Sequence, residues 1–500
     1  MTDGNKLAAL LSAGSVPGEL AARVAAGPAF WAGWVDDLDR GGLLEELLGR
    51  DAIERALKEA PGSGRYEPAL NAKMTLVCVL AACLFPDEGY AQVLARAFGI
   101  PGLRFWPGPV PAASALSQAR ERPGGHAVRR LFEIDAEAGD ADLGLTVPWH
   151  GLEVTAIDGT TLELDRSEAL ACESGSSPDA GRPLLRIVGH VRVASRRWIA
   201  AETGTCHQGE NELADGLLWS LRGGMVNLAD RGFPSMERYL AAAAGTGADL
   251  VWRWKNGKDC LPARTLEVLP GGSELVVMRE SRGMLARRRR ASRDHAARRL
   301  PATIARLVTF TILTRTLSGR RKTTRVRVLT TLLDHEEFPA REIAMLHARR
   351  WQIEIAFLHL KATVRGGRRE LRGQFPALAR QEARGLLLIH NLVATAAARA
   401  AVQAGTSPKL IPFAPALALI RDRVTADACC PHCERRQFSA EAQVKALIND
   451  IAGLPRHRAG RQRTSPRTAA ERRDGHTENV SYTITIEKSN LPEWDVTPNT

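Results

Sequence analysis

Glu153-Val-Thr-Ala-Ile157, followed at once by Asp158-Gly-Thr-Thr161, is the stretch from which the rest of the chain can be read. Val154, Thr155 and Ile157 are β-branched, and a short apolar run closed by Asp-Gly has the length and punctuation of a strand. Downstream, Leu184 to Val193 and Arg197 to Ala201 read as two antiparallel strands turning at Ala194-Ser195. A helix is expected from Glu210 to Leu221. A short apolar strand, Met225 to Ala229, then ends in Asp230-Arg-Gly-Phe233, and a helix from Ser235 to Ala244 leads into a strand from Asp249 to Trp254.

Three meandering strands, then helix, strand, helix, strand, is the element order of an RNase H-like α/β core. In that reading Asp158 and Asp230 stand at the C-terminal ends of strands, where the active sites of open α/β sheets gather. The competing reading of an Asp-Gly after a strand is a plain turn former. The core is expected over residues 146–400, with a β-rich insertion over 255–335 that carries Arg287-Arg-Arg-Arg290 on an exposed loop. Such a charge block is either merely solvated or in contact with phosphate. Residues 1–145 read as a mostly α-helical N-terminal domain. Within it a helix near 112–122 presents Ser114, Ser117, Gln118 and Arg120 either to a DNA groove or simply to solvent. Residues 401–500 form a C-terminal region whose basic tail, poor in apolar residues from Gly453 on, is expected to be disordered.

His347-Ala-Arg-Arg-Trp-Gln-Ile-Glu-Ile-Ala-Phe-Leu-His-Leu-Lys361 is the second decisive stretch. At about 100° per residue, one continuous helix would place His347, Arg350, Glu354 and Lys361 on a stripe roughly 60° wide. Trp351, Ile353, Ile355, Phe357, Leu358 and Leu360 cover the rest, so the helix is expected to be largely buried with a narrow charged seam. Two readings of the seam are open. Arg350 and Glu354 satisfy each other at i,i+4, or Glu354 binds a metal while Arg350 and Lys361 hold phosphate oxygens.

Five hundred residues with 44% hydrophobic content are enough for two or three domains with real cores. Lys and Arg outnumber Asp and Glu by 68 to 56, a net charge of +12, which favours a polyanionic partner such as nucleic acid. The longest apolar run noted, Leu76 to Phe85, is far short of a membrane span of roughly 20 residues. No basic segment leading into an apolar one opens the chain, so a cytoplasmic protein without a membrane partner is expected. Cys429-Cys-Pro-His-Cys433 is the only cysteine cluster and lacks a second ligand pair, which leaves zinc there a minority reading.

Ala156-Ile-Asp-Gly-Thr160, Leu228-Ala-Asp-Arg-Gly-Phe233, Trp252-Arg-Trp-Lys255 and Arg350-Trp-Gln-Ile-Glu354 with Lys361 resemble the motifs of the insertion-sequence-four family of bacterial DDE transposases. The Arg-to-Lys spacing of that family's Tyr-x2-Arg-x3-Glu-x6-Lys signature is reproduced without gaps. Gln381-Glu382 with Gly385-Leu-Leu-Leu388 is similar to the family's next helix, and Leu84-Phe-Pro86 with Ser114 to Arg120 is similar to its N-terminal domain. Two departures stand out: His347 where the family usually has Tyr, and Gly373 where Ser is common.

The resemblance implies a metal-binding catalytic triad of Asp158, Asp230 and Glu354, with two Mg²⁺ ions for which Mn²⁺ substitutes. It implies DNA contacts from His347, Arg350, Lys361, Arg253 and Lys255. The partner would be double-stranded DNA, as terminal inverted repeats and as target, bound by a homodimer in the synaptic complex on the nucleoid. The implied activity is cut-and-paste DNA cleavage and strand transfer. Its rivals are a nuclease of the same fold and a non-catalytic DNA-binding descendant. A carboxylate-pair sugar hydrolase fits poorly, because aromatic content is only 5% and the charge is basic.

Overall fold

A computed structural model describes residues 43–48, 51–58, 70, 72–99, 111–121, 125–145, 148–174, 181–255, 262–292, 298–316, 321–366, 370–427, 440–456 and 479–488. The Cys429-to-Cys433 cluster and residues 1–42 lie outside them. Helices come first: α1 (Leu43–Leu48), α2 (Ala52–Lys58), α3 (Ala72–Leu84), α4 (Tyr90–Gly99), α5 (Ala113–Ala119) and α6 (His126–Glu137). The central run is β1 (Glu153–Glu163), α7 (Glu168–Ser174), β2 (Leu184–Arg192), β3 (Trp198–Gly204), α8 (Glu210–Asp215), β4 (Met225–Ala229), α9 (Met236–Gly245) and β5 (Asp249–Trp254). Then follow β6 (Ala263–Val268), β7 (Glu274–Met278), α10 (Arg282–Ser292), β8 (Thr303–Thr316) and β9 (Arg321–Thr330). The chain closes with α11 (Ala340–Ala348), α12 (Trp351–Leu358), α13 (Pro376–Gln403), α14 (Phe413–Asp427), α15 (Ala440–Ala452) and β10 (Asn479–Glu487).

The strands form one sheet in the order β3-β2-β1-β4-β5-β9-β8-β7-β6, with β10 added on β8. β1 is antiparallel to β2 and parallel to β4, and β4 is parallel to β5. This is a mixed α/β architecture in the RNase H-like order that the sequence led one to expect. The strands read as an insertion continue the same sheet, because β9 pairs along β5 from Val251↔Thr330 to Trp254↔Arg327.

Alternation along β1 feeds two cores. Ala156 and Leu162 join α3, α6, α11, α12 and α13 on one face, while Ile157 joins Leu213 of α8 and Tyr239 of α9 on the other. α13 spans 28 residues and is the axis of the first core. It is long and apolar enough to cross a membrane, yet 89% of its most apolar window is buried inside the protein, so its apolar surface is used for packing. It exceeds the run at Leu76 to Phe85, most of which forms α3 against it. Buried Asn391 of α13 accepts from the Trp198 N–H at 2.7 Å and donates to the Trp198 carbonyl and to Asp135, which ties the helix to β3 and α6.

Four local expectations are corrected. The stretch 347–361 is not one helix: α11 ends at Ala348, and i→i+3 bonds from Arg350 N to His347 O and from Ile353 N to Arg350 O tighten the turn into α12. A π-helical turn, His359–Val364, then loosens it. The Arg287-to-Arg290 block lies in helix α10, where Met284 packs on the second core and Arg288 is held by Glu280 at 2.9 Å; Met, Leu, Ala and Arg are all strong helix formers. Arg120 is buried, and its Nε donates to Gln381 Oε1 at 2.9 Å, so it is not on a groove-facing surface; Ser114 and Gln118 are exposed. Finally, part of the tail is ordered. β10 pairs with Thr309 to Thr316 of β8, the edge that short β7 leaves uncovered, and so satisfies its backbone groups.

Candidate active site

The parallel ladder of β1 and β4 ends at Ile157↔Ala229. The next residue on each strand is an aspartate, so Asp158 and Asp230 start from neighbouring strands at one level, about 4.8 Å apart in backbone. β1 itself runs on to Glu163 along β2, so Asp158 ends the parallel pairing with β4 and not the strand, a correction to its expected place. Opposite it sits Gly189, where a Cβ would lie 2.5 Å from the Trp198 ring, so the close packing of β2 on β3 depends on glycine there. Gly159 N donates to Asp158 Oδ1 at 2.9 Å and fixes the carboxylate.

Glu354 arrives from α12. Arg350, at the head of that helix and buried, joins the elements: its Nη1 donates to Asp158 Oδ2 at 2.9 Å and its Nη2 to Glu354 Oε1 at 2.8 Å. Arg253 on β5 donates to Asp230 Oδ1 at 3.3 Å. Lys361 Nζ donates to Thr160 Oγ1 at 3.0 Å, so the π turn still delivers the lysine to β1. The internal Arg350–Glu354 pair is therefore formed, and the same guanidinium also reaches the first aspartate.

Charge is tightly coupled here. Burial pushes the Asp158 carboxyl up to about 6, Glu354 and Asp230 add to the rise, and Arg350 with the Gly159 N–H opposes it. Burial also acts on Asp230, but Arg350, then Arg253 and the Arg231 N–H, outweigh it and hold that carboxyl below its usual value. Burial lowers the Arg350 guanidinium, and Asp158, Asp230 and Glu354 more than restore it. His347 is buried under the kink and bonded to the Ala229 backbone. Burial, then Arg350, hold its imidazole down at about 3, so it is neutral.

Three carboxylates, two of which raise the proton affinity of the third, fit a hard divalent cation chemically. Among the described residues, however, no three His, Cys, Asp or Glu side chains stand close enough together to enclose one. Arg350 bridges two of the carboxylates instead.

The family model described as "Transposase DDE domain" matches residues 149–392, and that described as "Insertion element 4 transposase N-terminal" matches residues 39–133. Transposase InsG for insertion sequence element IS4, from Escherichia coli strain K12, is 29% identical over 355 residues, covering 70% of this chain and 75% of that protein. The chain belongs to the insertion-sequence-four family of DDE transposases. A second E. coli K12 relative, InsZ, is 30% identical over 184 residues, covering 33% of this chain and 61% of that protein. Among solved structures, a piggyBac transposase synaptic complex with hairpin DNA matches over 82% of each chain at 11% identity, with a TM-score of 0.38.

Against that family, the eight residues singled out fall into two groups. Asp158, Asp230, Glu354, Arg350 and Arg253 are linked by hydrogen bonds or electrostatic contact, with Lys361 beside them on Thr160. His347 is buried beneath, and Lys255 is exposed at the end of β5, where its carbonyl accepts from Arg327. Gly373 has a structural cause: a Cβ there would lie 2.5 Å from the Ala379 N, and the Gly373 N–H donates to half-buried Glu382 at 3.0 Å. Sequence reasoning missed the Thr160 acceptor, although it lies inside the quoted Asp-Gly-Thr motif. It also missed Gln352, which holds Arg196 at 2.8 Å behind the kink and carries no motif signal.

Proposed function

We propose that this transposase binds the ends of its element as a homodimer and cuts and joins DNA strands at Asp158, Asp230 and Glu354. The observation that supports this most is the end of the β1–β4 ladder, which starts two aspartates side by side, with Arg350 linking the first of them to Glu354. Drawn closer together than they stand here, the three carboxylates would hold two divalent ions, Mg²⁺ or Mn²⁺, which would activate an attacking oxygen and stabilise a leaving one. The chain's own part is positioning. Arg350 and Arg253 orient the carboxylates, while Lys361, and Lys255 at the exposed rim, offer cations to the phosphates flanking the scissile bond. Neutral His347 supports the Ala229 carbonyl beneath the site and adds no charge there.

The test is a cleavage assay on duplex DNA carrying the element's terminal repeats. Glu354→Gln and Asp158→Ala should retain end binding and lose strand cleavage in Mg²⁺ and in Mn²⁺. Wild-type protein given a pre-cut 3′-hydroxyl end should join it to target DNA. Full cleavage by either variant would refute the site, and cleavage without joining would make the protein a nuclease.

A further inference from the structure

Arg349 and Arg350 are consecutive, yet the kink between α11 and α12 sends them to different places. Arg350 enters the carboxylate site. Arg349 lines a separate cavity of about 920 Å³ at the N-terminal ends of β1 and β4. The segment Thr406, Ser407 and Lys409 borders the same cavity, and Glu153 and Asp140 also line it. Arg196, in a left-handed backbone conformation at φ 65°, is held nearby by Gln352 of α12.

The balance of charge around Lys409 is one-sided. Burial, then Arg196 and Arg349, push its ammonium down to about 8, and no carboxylate offsets them. Among the described residues the side chains of Lys409 and Arg349 have no hydrogen-bond or ion-pair partner. Of the two acidic residues on the lining, Glu153 accepts from Arg192 Nε at 2.9 Å, and Asp140 accepts from the Ser195 N–H at 3.3 Å through Oδ2, with its Oδ1 left without a partner. Cations pressed together without an anion oppose folding. An ammonium, a guanidinium and two hydroxyls around one concavity are the donors with which proteins hold phosphate oxygens.

We propose that this cavity is a second phosphate site, which takes a backbone phosphate of bound DNA away from the bond being cut. The proposal rests on the DNA reading above but not on the catalytic one. Glu153 on the lining and Asp158 are five residues apart on β1, roughly 17 Å at about 3.3 Å per residue. That is about five nucleotide steps along one strand of a duplex. DNA lying over the α11–α12 kink would thus be held on both sides of it, by Lys361 at one end and by Lys409 and Arg349 at the other.

The experiment uses the full chain as wild type, Lys409→Met, Lys409→Arg and the double variant Lys409→Met/Arg349→Gln. Inorganic phosphate is the first probe, read as the shift of the unfolding midpoint. Wild type and Lys409→Arg should be stabilised by it and Lys409→Met should not; equal shifts in all three overturn the site. Binding to terminal-repeat duplex over a salt series is the second readout. The double variant should lower the slope of log affinity against log salt by about one, since the single phosphate neutralised at this site contributes about 0.9. An unchanged slope beside an intact phosphate response would mean that free phosphate, and not DNA, is the ligand, and would overturn the proposal. Loss of cleavage in Asp158→Ala alongside that unchanged slope would leave the catalytic reading standing while this one falls.

Discussion

Asp158→Asn should make the protein more stable while removing its cleavage activity. The carboxyl is pushed up from 3.8 to about 6, first by burial and then by Glu354 and Asp230, against Arg350 and the Gly159 N–H. The folded chain therefore holds this proton more tightly than the unfolded chain, and ionising the group costs stability. The penalty is absent below about pH 3.8, grows as pH rises to about 6, and is constant above that. The two values are separated by about 3 kcal/mol at 1.36 kcal/mol per pKa unit, and with the side chain only 21% exposed solvent screening trims this modestly. Asn keeps the shape, and its amide oxygen can still accept from Arg350. In urea titrations the variant should gain about 2–3 kcal/mol over wild type at pH 7.5 and about half that at pH 5. Magnesium should narrow the gap by stabilising wild type, by about 2.7 kcal/mol at a hundredfold excess over its Kd. A variant less stable than wild type at pH 7.5, or a gap that does not shrink on acidification, would refute the claim that ionised Asp158 is a burden carried for function.

Other expectations are simpler. Lys361→Ala should weaken end binding and lower the salt slope by about one, read by the same binding series; an unchanged slope removes its phosphate role. Gly189→Ala should cost about 1–3 kcal/mol in urea unfolding, because its Cβ would press on the Trp198 ring at 2.5 Å, and a neutral effect would mean that β2 and β3 separate easily there. Arg120→Ala should cost about 1–3 kcal/mol by leaving buried Gln381 and the Tyr90 hydroxyl short of partners, measured by the same unfolding series.

How legible the fold was depended on whether local pattern or distant partners decided each element. Met225 to Ala229 and Asp249 to Trp254 were read with their observed bounds, because central strands buried on both faces appear as short apolar runs closed by turns. The pairing of Asp158 with Asp230 followed from element order. The kink at Arg349-Arg350 did not, since Trp351 to Leu358 has ordinary helical chemistry and the partner that draws Arg350 aside is 192 residues away. For the same reason Arg120, at the end of a small-residue helix, read as a surface group until Tyr90 and Gln381 closed over it. Tyr482-Thr-Ile-Thr-Ile486 carried a clear alternating signal, which the Arg, Gly, Ser and Thr around it outweighed in a reading by composition.

That last strand also sets a schedule for biosynthesis. The outer half of β8, paired with β9 along one edge, finds the neighbour for its other edge only when Asn479–Glu487 has left the ribosome, more than 160 residues after Thr316. At about 5–20 residues per second this leaves an apolar, unpaired edge uncapped for about ten to thirty seconds in every newly made molecule. A nascent chain with such an opening is a natural client for chaperones, and it should give more soluble product when translation is slow or the culture is cool.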